Sequence, residues 1–239
     1  DQIEDGTSLK LWYRQPAKEW TQALPVGNGR LGAMVFGGVD KERLQLNEIS
    51  LWSGSPQDAD NPEALAAMRE IRQLIFDGKY VQANALANKT LICKGRGSGS
   101  GSGSKCPYGC YQTLGDLTLA FDALQDATDY RRELDLDTAV ASVSFRQGDA
   151  TFRREVFSSQ PDQTLVVRMT CDKPGRISFT ADLNRPERFT TTADGTDGLI
   201  TTGQMDDGLN GASGIKYVAR LRAITDRGTI SAKDGKLRI

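Results

Sequence analysis

The feature of this sequence that most constrains its fold is a long run of short strand patterns that begins at Thr113. Alternating apolar and polar residues bounded by Gly, Pro, Asp or Asn are typical of strands joined by turns. In one pattern Leu165 and Met169 share a face, while Arg168 lies on the other. The patterns predict strands at residues 114–121, 130–136, 139–145, 151–158, 164–171, 176–183, 199–202, 215–224 and 228–230. Because each strand must bury one face, the sequence predicts an antiparallel sandwich of two sheets.

A glycine-rich hairpin is predicted nearer the amino terminus, between residues 24 and 54. The glycines at positions 27, 29 and 32 give the backbone around Asn28 and Arg30 conformations that other residues disfavour. The apolar run at 31–36 predicts a buried strand, and a turn around 37–40 leads into a second strand pattern. This hairpin combines tight turns with polar and aromatic residues that core packing does not require.

One short helical insertion is predicted at about residues 61–90. Asn61 is a favourable N-cap, and Pro62 suits the first helical position. The predicted apolar stripe of the first helix ends near Gly78 and consists of Leu65, Met68, Ile71 and Ile75. A second helical pattern runs through Tyr80, Ala83, Leu86 and Ala87 to about Lys89. We expect the stripe to pack on a sheet.

Composition excludes several classes of function. The 30 basic and 31 acidic residues are interspersed, so no basic stripe exists for nucleic acid. No apolar run approaches the roughly 20 residues that cross a bilayer, and residues 1–5 do not resemble a signal peptide. If the protein is exported, we expect its leader to have been removed. The absence of histidine excludes Ser-His-Asp and Cys-His catalysis and the commonest metal ligand, and no metal site is predicted.

The four cysteines do not have the spacing of a zinc site. Cys171 shares a strand face with apolar residues and is predicted to be a buried free thiol. Cys93, Cys106 and Cys110 surround a loop at 94–105 that contains four Gly-Ser repeats, and they could form one disulfide. The pairing of Cys93 with Cys106 is favoured because it would close this loop. The loop itself is interpreted as an inserted surface segment of natural or engineered origin.

Two motifs stand in the predicted hairpin: residues 25–34 read P-x-G-N-G-x-L-G-A-M, and residues 46–54 read L-N-E-x-x-L-W-S-G. They resemble the amino-terminal β-domain of glycoside hydrolase family 95, the α-L-fucosidase family. The resemblance continues in the motifs LWY at 11–13, YQTLGDL at 111–117 and FSSQPDQ at 157–163. It implies a mainly β fold, an antiparallel β-supersandwich with a short helical insertion, that spans residues 1–239 as a single amino-terminal domain.

The resemblance also implies that the catalytic carboxyl groups belong to a helical (α/α)6 domain that is absent from this chain. The sequence ends within a predicted hairpin around Asp234-Gly235, which we interpret as a cut. The implied parent enzyme hydrolyses terminal fucose, or a related sugar such as L-galactose, with inversion and without a cofactor. The implied partners are the C-terminal helical domain of the same polypeptide and a fucosylated or related glycan. A secreted or periplasmic location is expected.

Four carboxylates are candidates for an independent catalytic pair in this chain: Glu48, Asp116, Asp206 and Asp207. A glycosidase needs two carboxyl groups about 5 Å apart for retention or about 6.5–9.5 Å apart for inversion. We expect Asp116 to accept turn N–H groups, and Asp206 and Asp207 to lie in a Gly/Asn-rich turn at 206–211. Glu48 is expected to pair with Arg30 or Arg43. No catalytic residue is therefore predicted in this chain.

The candidate substrate-binding or domain-interface residues are Asn28, Arg30, Asn47, Glu48 and Trp52. Amide, carboxylate and guanidinium groups bind sugar hydroxyls, and an indole ring stacks on the C–H face of a sugar. Two alternatives remain open at this point. Trp52 could be an interior aromatic while Asn47 caps a turn, and the chain could be a free-standing carbohydrate-binding or structural β-sandwich module.

Overall fold

A computed structural model describes residues 9–94, 107–122, 126–209 and 213–239 of the chain. These residues divide into two compact units. The first, called here the β unit, contains the described residues of Asp1–Leu51, Thr113–Gly203 and Tyr217–Ile239. The second, called the insertion unit, contains those of Trp52–Gln112 and Gln204–Lys216.

The strands of the described residues form three sheets. The five-stranded sheet has the spatial order β1 (Lys10–Tyr13), β6 (Thr128–Asp135), β7 (Val140–Gln147), β8 (Ala150–Ser159) and β9 (Thr164–Cys171). The seven-stranded sheet has the order β14 (Ser231–Lys233), β15 (Lys236–Arg238), β10 (Phe179–Asn184), β5 (Gly115–Phe121), β4 (Lys41–Glu48), β3 (Leu31–Val35) and β2 (Leu24–Gly27). The three-stranded sheet consists of β11 (Phe189–Ala193), β12 (Gly198–Gln204) and β13 (Lys216–Arg222). Neighbouring strands of the two larger sheets are antiparallel throughout.

The main core lies between the two larger sheets, because alternate residues of their strands are apolar and buried. Val35 and Leu44 of the seven-stranded sheet belong to the same buried cluster as Leu134 and Val156 of the five-stranded sheet. Removing each such side chain from water stabilises the fold by about 1.5–3 kcal/mol. The antiparallel sandwich with a helical insertion that the sequence predicts is therefore confirmed.

A buried ion pair also lies within the β unit. Glu42 of β4 has no solvent exposure, and its carboxylate accepts a hydrogen bond from the guanidinium of Arg154 in β8. The same carboxylate accepts the backbone N–H groups of Gly37 at 2.8 Å and Arg43 at 3.0 Å. Tyr130 donates its hydroxyl to the Gly37 carbonyl at 2.7 Å. These contacts fix the turn between β3 and β4 on its inner side.

The insertion unit contains the helices α1 (Ala64–Phe76) and α2 (Tyr80–Thr90), which pack against each other. The buried positions are Ala67 and Ile71 of α1 and Ala83 of α2. The predicted stripe is therefore wrong at its ends, since Leu65 is 86% exposed and Ile75 is 45% exposed. The contact forms where small alanine side chains let the two helices approach, so the buried face of α1 is rotated away from its largest apolar residues.

Of the two cysteine predictions, the structure tests the one for Cys171 but not the disulfide of Cys93 with Cys106. Cys171 is a free thiol, as predicted, but it is partly rather than fully buried, beside the cluster of Phe145 and Phe152. Cys93 is exposed. Its predicted partner Cys106 and most of the Gly/Ser loop lie outside the described residues, so that disulfide stays a prediction.

Within residues 9–94, 107–122, 126–209 and 213–239, no helix is long and apolar enough to cross a membrane. Nor do these ranges contain a group of three or more Cys, Asp or Glu residues that could hold a metal ion.

Candidate functional site

The turn between β2 and β3 is organised by the side chain of Asn28. Its Oδ1 atom accepts the backbone N–H groups of Arg30 at 3.0 Å and Leu31 at 2.8 Å. Its Nδ2 group donates to the carbonyl of Ser159, at the end of β8, at 2.9 Å. Both polar ends of this amide therefore hold the turn in place, and the turn fixes the position of the Arg30 backbone.

Arg30 and Glu48 form an ion pair beside this turn. The Nε of Arg30 lies 3.1 Å from Oε1 of Glu48, and the arginine side chain is largely exposed. The other oxygen of Glu48 accepts the Ser50 hydroxyl at 2.6 Å and the Ser50 backbone N–H at 2.9 Å. Partial burial opposes ionisation of Glu48, but the donors of Ser50 and Arg30 together hold its pKa below the ordinary value. Glu48 is thus a carboxylate at neutral pH and can accept hydrogen bonds, but it is unsuited to donate a proton.

Asn47 precedes Glu48 in β4, so the two side chains leave opposite faces of the strand. Asn47 is in register with Gly32 of β3, and Gly32 is in register with Gly27 of β2. The two glycines provide no side chains beside Asn47, which leaves a strip of bare backbone on that face of the sheet. The structure therefore brings Asn28, Arg30 and Glu48 together and separates Asn47 from them by strand alternation.

Trp52 belongs to the insertion unit, where it forms an antiparallel bridge with Tyr111. The ring centroids lie 5.6 Å apart, and the ring planes are inclined by 78°. Trp52 is 48% exposed and Tyr111 is 40% exposed. The interpretation of Trp52 as an interior aromatic is therefore wrong. Sequence reasoning did not single out Tyr111, although it is the aromatic residue that opens the motif at 111–117.

A tightly packed backbone base supports these two rings. Ser53 donates its backbone N–H to the Cys110 carbonyl at 2.9 Å, and its hydroxyl accepts the Cys110 N–H at 2.9 Å. A Cβ atom added to Gly109 would lie 1.9 Å from the carbonyl oxygen of Ser53. One added to Gly54 would lie 2.5 Å from the carbonyl oxygen of Pro107. Only glycine therefore permits this approach of the two segments.

The other candidate carboxylates also have structural contacts. Asp116 of β5 forms an ion pair with Arg43 of β4 at 3.1 Å, so the expectation that Asp116 accepts turn N–H groups is wrong. Of the two arginines predicted to pair with Glu48, it is Arg30 that does so. Asp206 accepts the N–H of Gly208 at 2.7 Å. The two oxygens of Asp207 accept the backbone N–H groups of Leu209 at 2.8 Å and Ser213 at 2.9 Å. Both aspartates therefore bind backbone N–H groups of the residues that follow them, and residues 210–212, which include part of the predicted turn, lie outside the described residues.

Comparison with known proteins gives the context of these residues. Residues 11–239 match the family described as glycosyl hydrolase family 65, N-terminal domain. Alpha-L-fucosidase 2 of Arabidopsis thaliana is 42% identical over 174 residues, which cover 72% of this chain and 19% of that protein. Probable alpha-fucosidase A of Aspergillus niger is 39% identical over 176 residues, which cover 69% of this chain and 20% of that protein. Its counterpart in Aspergillus oryzae is 30% identical over 172 residues, which cover 69% of this chain and 22% of that protein.

The chain therefore spans about a fifth of the length of these curated relatives. The resemblance to the amino-terminal β-domain of an α-L-fucosidase, which the motifs predict, is confirmed. Because the family match extends from residue 11 to the last residue, the chain belongs to the family of glycosyl hydrolase family 65 N-terminal domains.

Proposed function

We propose that this chain is the non-catalytic amino-terminal domain of an α-L-fucosidase of glycoside hydrolase family 95. The parent enzyme removes terminal fucose, or a related sugar, from a glycan with inversion of configuration. The observation that carries this proposal is the similarity to three α-fucosidases combined with a span of only about a fifth of their length. Family 95 is preferred to family 65 because all three relatives are named α-fucosidases.

The contacts of the carboxylates support a non-catalytic role. An inverting glycosidase needs a protonated acid and a carboxylate that activates water. Glu48 is held ionised by Arg30 and Ser50, and Asp116 is paired with Arg43. We therefore assign both catalytic groups to a following helical (α/α)6 domain of the parent. Residues 1–239 act as one amino-terminal domain, no cofactor takes part, and the parent is secreted or periplasmic.

The test of this proposal is an assay of the chain beside its parent enzyme. With 4-nitrophenyl α-L-fucoside as substrate, we expect turnover by the parent and none by the 239-residue chain. Proton NMR of the parent reaction should show the β-anomer of L-fucose as the first product. Fucosidase activity of the chain that is lost in Glu48→Gln would overturn the non-catalytic assignment. A parent that does not act on the fucoside would overturn the assignment of the substrate.

We further propose that Asn28, Arg30, Asn47 and Glu48 form a rim around the end of β4, with Asn47 on one face of the strand and the other three residues on the opposite face, at which the β unit meets the sugar pocket of the parent. The ion pair and the Asn28 contacts hold three of these residues in fixed positions, which lowers the entropic cost of binding a ligand. Asn47 adds an amide beside the bare strip at Gly27 and Gly32, where a pyranose ring could approach the backbone closely.

Asn47→Ala in the parent is expected to lower kcat/KM for the fucoside by more than about tenfold, equivalent to about 1.4 kcal/mol. The reason is the loss of an amide partner for a sugar hydroxyl. Gln45→Ala is the matched control, because Gln45 shares the outward face of β4 two residues earlier. Equal kinetics of the two variants would remove Asn47 from the rim.

A free-standing carbohydrate-binding module is the second candidate, and the exposed pair of Trp52 and Tyr111 favours it. A structural β-sandwich module would not need exposed aromatic rings on a rigid base. The two candidates differ in one respect that can be measured. A free-standing module binds sugar without any associated hydrolysis, whereas the parent enzyme hydrolyses the fucoside.

A further inference from the structure

We propose that Trp52 and Tyr111 form a binding site for a 6-deoxy sugar, with the C–H face of the sugar on one ring and its methyl group against the other. This pair is called here the aromatic corner. The naming of the sugar rests on the proposed function, since L-fucose is 6-deoxy-L-galactose. The site itself lies entirely within the insertion unit.

The geometry of the aromatic corner suits a ligand with two apolar surfaces. The ring planes are inclined by 78° with their centroids 5.6 Å apart, so the rings present two nearly perpendicular surfaces. A pyranose that lies flat on one aromatic ring directs one of its own substituents towards the other aromatic ring. A 6-deoxy sugar offers an apolar substituent in this direction because its C6 carbon is a methyl group. The two apolar parts of one sugar therefore match the two rings.

Exposure of these rings is imposed by the backbone beneath them. Ser53 and Gly54, which follow Trp52, are buried, and Gly109 packs against the Ser53 carbonyl without room for a side chain. The paired hydrogen bonds between Ser53 and Cys110 hold the two segments together. The rings are consequently held at the surface. Rigid aromatic side chains with half of their area exposed are typical of binding sites, because little entropy is lost when a ligand contacts them.

The same geometry predicts discrimination between two closely related sugars. L-Galactose differs from L-fucose only by a hydroxyl on C6. Against an aromatic ring, this hydroxyl would lose its hydrogen bonds to water without gaining a partner, whereas the methyl group of fucose loses nothing. We therefore expect the aromatic corner to prefer the 6-deoxy sugar.

The chain offers matched controls in its other two tryptophans, Trp12 and Trp20. Their exposed fractions, 47% and 56%, are close to that of Trp52. The ring of Trp12 is contacted by the guanidinium groups of Arg131, at 4.8 Å from the ring centroid, and Arg14, at 5.5 Å. Trp20 lies in a short 3₁₀ helix, Trp20–Gln22. Among the residues that the structure describes, neither has the perpendicular partner ring that defines the aromatic corner.

The experiment is a titration of the 239-residue chain with methyl α-L-fucoside and with methyl α-L-galactoside, followed by tryptophan fluorescence and by saturation-transfer NMR. For the fucoside we expect a Kd of about 1–10 mM, the range that a single monosaccharide reaches on a small platform. For the galactoside we expect binding at least about fivefold weaker, because the C6 hydroxyl is desolvated. Saturation should be strongest at the C6 methyl protons of the fucoside.

Two variants locate the site. Trp52→Ala and Tyr111→Ala should each weaken fucoside binding by at least about tenfold, whereas Trp12→Ala and Trp20→Ala should leave it unchanged. Circular dichroism checks that each variant is folded. If Trp52→Ala does not fold, Trp52→Phe and the saturation pattern of the wild-type chain decide the question.

Three results would overturn the aromatic corner: no binding of the fucoside, equal binding of both sugars, or loss of binding in Trp12→Ala or Trp20→Ala. The parent assay separates this inference from the proposed function. A parent that hydrolyses the fucoside while the chain does not bind it would overturn the aromatic corner alone. Binding by the chain together with an inactive parent would leave the aromatic corner in place and overturn the proposed enzyme.

Discussion

Replacing Glu42 by glutamine should lower the melting temperature of the chain by about 6–20 °C. The carboxylate of Glu42 and the guanidinium of Arg154 are both buried, so the substitution leaves a positive charge in the core without its counter-charge. Breaking a buried ion pair from one side costs about 3–5 kcal/mol, and for a chain of this size each kcal/mol corresponds to about 2–4 °C. Thermal unfolding at pH 7, followed by circular dichroism, measures this loss.

Asp149→Asn is the control for Glu42→Gln. Asp149 pairs with Arg176 at 3.2 Å, but its side chain is 70% exposed, and exposed pairs contribute about 0–1 kcal/mol. A Glu42→Gln variant that melts within about 2 °C of the wild-type chain would contradict a charged, stabilising role for the buried pair. The double variant Glu42→Leu with Arg154→Met should recover much of the loss, because it removes both charges from the core.

The strand patterns were predictable because burial of one face imposes alternation on the sequence itself. The strand predicted at 164–171 is observed as Thr164–Cys171. By contrast β11, Phe189–Ala193, was not predicted, because it is rich in threonine and has no buried residue to mark a face. It is held by its pairing with β12 and by the contact of the Thr191 and Thr201 hydroxyls at 2.8 Å. Contacts of this kind depend on the neighbouring strand, which the local sequence does not encode.

In both the candidate site and the core, the contacts that could not be predicted join segments that lie far apart in the sequence. The sequence motifs single out Trp52, but its pairing with Tyr111 depends on how residues 52–55 and 107–112 fold together. Glu42 and Arg154 lie in different sheets, and no local pattern marks them as a pair. The pairing of Arg30 with Glu48 could be anticipated, since a short hairpin brings the two residues together.

Gly109→Ala should destabilise the chain by about 3–5 kcal/mol and should disrupt the base of the aromatic corner. Gly109 has a φ of 70°, where a side chain costs about 1–2 kcal/mol, and its Cβ would lie 1.9 Å from the Ser53 carbonyl oxygen. The segments must therefore separate, which breaks the hydrogen bond from the Ser53 N–H to the Cys110 carbonyl and the one from the Cys110 N–H to the Ser53 hydroxyl, each contributing about 1 kcal/mol. Thermal unfolding measures the total loss, and amide hydrogen exchange at Ser53 and Cys110 measures the local one.

Gly78→Ala isolates the steric part of this effect. Gly78 has a φ of 73°, so alanine there carries the same left-handed conformational cost, but a Cβ atom would meet nothing within 4 Å. We expect a loss of only about 1–2 kcal/mol for Gly78→Ala, with unchanged exchange at Ser53 and Cys110. The difference between the two variants then measures the cost of opening the backbone base. If Gly109→Ala behaved like Gly78→Ala in both measurements, the two backbone segments would separate without a further loss of stability. A rigid support for Trp52 and Tyr111 could then no longer explain why their rings are exposed.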